Sequence, residues 1–190
     1  MARRTFGERF GVFAECLLTG VWIALAALPL VTLPAALAAG AGHLRRDLAH
    51  ERGGWRQFTS DLRAAARRGW LVGLGSLGAL AVLWVDLTVI RAGVLPGGPF
   101  VGAVGVLATL GALVAVVRAA VCWRPGGSWR ALLASAGRRT VRDPAGSLVV
   151  ICGFAVVAAS AWFSVPLAAP ALGMVTAAAL AVERRQPQHR

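Results

Sequence analysis

The chain contains no lysine, asparagine or tyrosine, and only eight acidic residues among its 190. All 20 of its basic side chains other than histidine are therefore arginine. Alanine, glycine, valine and leucine abound instead, which is the bias of a GC-rich genome, so the missing lysine has no functional meaning. The shortage of acid matters more, because it leaves a net charge of +12. Such a charge suits nucleic acid or anionic lipid. Its placement argues against the first, because the arginines fall in blocks between apolar stretches, as cytoplasmic loops of membrane proteins do. Cysteine is scarce as well. Cys16, Cys122 and Cys152 are isolated at or within apolar stretches, which excludes a disulfide framework or a Cys-based metal site and makes them small hydrophobes. No Walker motif, HExxH or GxSxG is present, so nothing marks an enzyme.

What is abundant is apolar surface: 57% of residues are hydrophobic and the mean hydropathy is +0.68. A soluble domain of this length could not bury that much in one core. A membrane span takes about 20 apolar residues. Five stretches of the chain qualify: 12–39, 70–90, 100–121, 147–164 and 167–182, the last two forming a hairpin about Pro166. The expected fold is an all-α polytopic membrane bundle, one domain over 1–190, with about five transmembrane helices and two interfacial helices in loops 40–69 and 118–146.

Arginine counts set the orientation. Five spans with a cytoplasmic C-terminus put sixteen arginines inside and four outside, and the inverted arrangement reverses this. Arg3, Arg4 and Arg9 then fall outside, against the same rule. Two alternatives would relieve that conflict. The prolines of 12–39 could turn the chain back as a re-entrant hairpin, but its arms of about 14 residues, some 21 Å, are too short to cross. Residues 1–39 could instead be a cleaved leader, but the apolar run is long for one. The expectation is a single proline-kinked span.

Each loop carries helical spacing of aromatic and basic residues: Trp55, Arg56, Phe58, Arg63 and Arg67 in the first, Trp129 and Arg130 in the second. They form a candidate surface for anionic headgroups or a protein partner. Matching openings at Gly53-Gly54-Trp55-Arg56 and Gly126-Gly127-Ser128-Trp129-Arg130 suggest two parallel repeats of a helix plus a membrane hairpin. Within the apolar stretches, Glu15 and Asp86 are costly charges, with Arg91 at the same expected level. They mark a candidate polar pocket or a packing salt bridge. His43, Asp47 and His50 share a helical face, but a polar juxtamembrane face explains them better than a metal. Gly73-Leu74-Gly75-Ser76-Leu77-Gly78 matches GxGxxG without a preceding strand, so close helix packing replaces the dinucleotide reading.

The stretch Leu28-Pro29-Leu30-Val31-Thr32-Leu33-Pro34-Ala35 resembles the Pro-x-x-Thr-x-x-Pro-Ala signature of the YesL-like family (domain of unknown function 624) of bacterial integral membrane proteins, here on Pro29, Thr32 and Pro34. The basic loop with Phe58, the acid at Asp86, the second basic helix and the terminal hairpin extend the resemblance over nearly the whole chain. It implies a non-enzymatic plasma-membrane protein, accessory to carbohydrate uptake and to the permease subunits of ABC sugar transporters, with no cofactor. The alternative is a small transporter or channel working through a pocket at Glu15 and Asp86.

Overall fold

The computed structural model describes residues 6–49, 51, 54–92, 97–163 and 165–185. Among them are seven α-helices and no strand: α1 (Phe6–Ala26), α2 (Leu33–Asp47), α3 (Trp55–Arg91), α4 (Gly98–Cys122), α5 (Trp129–Arg142), α6 (Pro144–Phe163) and α7 (Val165–Arg185). Three are long and apolar enough to cross a membrane, namely α3, α4 and α6 over Pro144–Trp162. Ala14–Ala26 and Ala169–Glu183 are shorter apolar helices.

The proline-rich stretch reverses the chain, and the expectation of one kinked span over 12–39 is corrected. A residue before proline is pushed out of the α region, which ends α1 ahead of Pro29. A 3-10 turn, Leu30–Thr32, follows, and α2 starts with Pro34 in its first turn, where a missing N–H costs nothing. The Thr32 hydroxyl donates to the Ala26 carbonyl at 2.5 Å, satisfying an end-of-helix oxygen, and the Thr32 amide donates to Pro29 at 2.8 Å. The three signature residues thus build one turn. Its consequence is that Glu15 and His43, which a continuous helix would hold about 42 Å apart, meet at 2.7 Å.

Helix α2 is the centre of the bundle. Residues 34–44 are all buried, and α1, α3, α4 and α7 pack around them. The run Pro-Ala-Ala-Leu-Ala-Ala-Gly-Ala-Gly makes this possible, since side chains small on every side admit neighbours all round. Helix α2 continues to Asp47, into the stretch expected as the first cytoplasmic loop.

Helix α3 joins the first interfacial helix to the span behind it without a break. Its 37 residues are about 55 Å long, well beyond a hydrocarbon core of about 30 Å. The second interfacial helix is separate. Asp143 caps α6 by accepting the Gly146 amide at 2.9 Å, with Pro144 opening the helix, so α5 and α6 are two helices rather than one. Both basic helices thus lead into a helix long and apolar enough to cross a membrane, the first without a break and the second across this proline. Helices α1 and α7 touch backbone to backbone: a Cβ on Gly20 would overlap the Ala169 carbonyl, and one on Gly173 that of Cys16.

Candidate functional site

The ends of α2 and α4, the first turns of α3 and all of α5 gather the charged residues at one end of the bundle. Three sets of contacts lock it. In the first, His43 on α2 is buried and its Nε2 meets Glu15 of α1 at 2.7 Å. Trp22 lies against the imidazole with ring centroids 4.9 Å apart, and Trp55 and Phe58 of α3 complete the aromatic cluster. In the second, Arg46 of α2 holds Asp61 of α3 at 2.6 Å, while Arg45 donates to the Val121 and Trp123 carbonyls, each at 2.7 Å. The latter two oxygens end α4, so Arg45 acts as its C-terminal cap.

The third set is a network on Arg118, the largest fully buried side chain. Its guanidinium reaches Asp143 at 2.9 Å and Glu183 of α7 at 3.5 Å. Glu183 also pairs with Arg139 of α5, and the Cys122 thiol donates to it at 3.4 Å. Two arginines and two carboxylates thereby tie α4, α5, α6 and α7 together. A buried arginine demands such company, since an unpaired ion loses its hydration for nothing.

Sequence-predicted residues are sorted differently by this arrangement. Phe58 is 0% exposed and Trp129 5%, so both leave the candidate surface. Trp129 stacks on Trp123 and donates its indole N–H to the Ala65 carbonyl at 3.3 Å, which packs α5 onto α3. Trp55 is half exposed, and Arg56, Arg63, Arg67 and Arg130 are exposed. Arg56, Arg63 and Arg67 share one face of α3 with Thr59 and Ser60, opposite the buried Phe58, Asp61 and Ala65. They make no side-chain hydrogen bond or ion pair among the described residues.

Glu15, Asp86 and Arg91 do not converge. Glu15 is engaged by His43, one turn from the Arg46–Asp61 pair. From Asp61 to Asp86 the helix runs 25 residues, or about 37 Å. Asp86 is exposed and unpaired among the described residues. The pocket that a transporter reading requires is therefore split between opposite ends of α3. His43 faces Glu15, and the described residues hold no group of three His, Cys, Asp or Glu fit for a metal; His50 lies outside them.

Two features escaped sequence reasoning. One is the set of ion pairs, whose partners lie 15 to 65 residues apart with no local signal. The other is the cavities. A polar one of about 350 Å³ is lined by Arg45, Arg46, Glu51, Asp61 and Arg124. A second, of about 710 Å³, runs between α3 and α4 beneath the start of α5. A third, of about 420 Å³, is almost wholly apolar and lies among α2, α3, α4 and α6.

No protein-family profile, curated protein or solved structure matches the chain.

Proposed function

We propose that this is a non-enzymatic, multi-pass plasma-membrane protein whose arginine-bearing end faces the cytoplasm and docks a protein partner. One observation carries the reading. Arg56, Arg63 and Arg67 stand exposed and without acid partners on α3, whose opposite face is buried by Phe58, Asp61 and Ala65. The backing holds this part of α3 in place, so the three arginines project from one side of it toward an acidic surface.

Charge distribution supports the orientation. With α1 and α2 folded back, chain order groups nineteen arginines on one side and leaves Arg91 alone on the other. That agrees with the positive-inside rule better than a single first span does, because Arg3, Arg4 and Arg9 join the majority. The apolar faces of α3, α4 and α6, including Leu71, Trp84, Leu107 and Trp162, are exposed and suit lipid.

The partner follows from the resemblance of the Pro29, Thr32 and Pro34 turn to the YesL-like family, which implies the permease subunits of an ABC sugar importer. The test is co-purification of those subunits with tagged protein from membranes. Arg56→Glu with Arg63→Glu and Arg67→Glu is expected to reduce recovery to background while the protein still assembles. Unchanged recovery from the triple variant counts against the reading.

A further inference from the structure

We propose that the cleft between α3 and α4 is a binding site for one anionic glycerophospholipid, with its phosphate between Arg68 and Arg130 and an acyl chain in the slot below. The inference rests on the membrane placement just argued, but not on the protein partner.

The slot is built from a row along α3 and its counterpart on α4. On α3, Leu71, Val72, Gly75 and Ala79 follow Arg68 at helical spacing. Ala112 and Leu113 of α4 face them. Small residues keep it open: nothing lies within 4 Å of where a Gly75 Cβ would sit. Above it, the start of α5 supplies Ser128 and Arg130. Neither Arg68 nor Arg130 makes a side-chain hydrogen bond or ion pair among the described residues, unlike Arg45, Arg46, Arg118 and Arg139. The Ser128 side chain makes no capping bond, so the first amides of α5 add positive potential at the mouth.

Dimensions and polarity point to the same ligand. From Arg68 to Ala79 the helix advances 11 residues, about 16 Å, which matches half of a hydrocarbon core of about 30 Å. A cationic mouth at the edge of the apolar run, above a mainly apolar slot about one leaflet deep, complements a phosphate joined to an acyl chain. The polar cavity beside Arg45 and Arg46 has no such slot, and the apolar cavity beside Leu33 and Leu110 has no charged mouth.

The test is native mass spectrometry of the full-length protein released from nanodiscs of mixed phosphatidylglycerol and phosphatidylcholine. Wild type is expected to retain one phosphatidylglycerol in clear preference to phosphatidylcholine. Arg68→Gln with Arg130→Gln should lower that preference about tenfold or more, as expected for losing two charge-assisted hydrogen bonds. Gly75→Leu, which fills the slot and keeps every charge, should lower retention of both lipids. Arg56→Gln with Arg63→Gln and Arg67→Gln, removing more charge from the neighbouring face, should leave retention unchanged. Equal retention of the two lipids by wild type would overturn the proposal. So would an equal loss in the triple variant, which would mean unlocalised electrostatics, or full retention in Gly75→Leu, which would mean headgroup binding without a seated chain. Co-purification of a protein partner is read separately and should survive Arg68→Gln with Arg130→Gln.

Discussion

Arg118 lies wholly inside the bundle, where Glu183 and Asp143 reach it from different helices. Glu183 serves two arginines, so removing it does more than remove one contact. Glu183→Gln is expected to destabilise the protein by about 3–5 kcal/mol, the usual cost of stripping one partner from a buried pair. Arg118→Met with Glu183→Leu should recover much of that loss, because no buried ion is then left alone. Denaturant titration in detergent measures both. A Glu183→Gln variant as stable as wild type would show that the network carries no load.

The same scale explains what spacing along the chain leaves hidden. Arg118 sits at the end of the third apolar stretch, and its partners are 25 and 65 residues away. Phe58 and Trp129 have the spacing of an amphipathic helix, which tells which side is apolar but not whether lipid or protein covers it. Packing of α3 against Trp22 of α1, and of α5 against Ala65, decides that both are interior.

Among the helices, α3, α4 and α6 are readable from hydropathy, because a run of apolar residues long enough to cross a membrane is a local property. Their glycines are not all equivalent, however. In the GxGxxG stretch a Cβ on Gly73 would overlap the Val31 carbonyl at the fold-back turn, while Gly75 and Gly78 have open space. Gly73→Ala should therefore cost about 1–3 kcal/mol through overpacking. Gly75→Ala and Gly78→Ala should be neutral or stabilising by up to about 1 kcal/mol, from the helix propensity of alanine. Thermal unfolding of the three variants checks this, and equal effects at all three positions would contradict the close approach of α3 to the turn.

For the whole molecule, the reversal at Pro29 sets how many times the chain turns before α3. A fold-back puts both termini on one side, and a single kinked span puts them on opposite sides. Fusing a fluorescent protein that folds only in the cytoplasm to each terminus distinguishes the two. Signal from both fusions is expected, together with none from a fusion placed directly after Arg91. Signal at the C-terminus alone would restore the kinked span.

Hydropathy and charge belong to single side chains and add along the chain. The apolar character of the long helices and the clustering of arginine between them were therefore legible from residue order. The proline turn was visible as a break, but prolines permit either a kink or a reversal. The choice falls to α2, whose small residues are buried only when α1, α3, α4 and α7 close around it. The ion pairs, the burial of Phe58 and Trp129 and the open slot between α3 and α4 follow from that closure. They depend on distances between residues far apart in sequence, which tertiary packing alone determines.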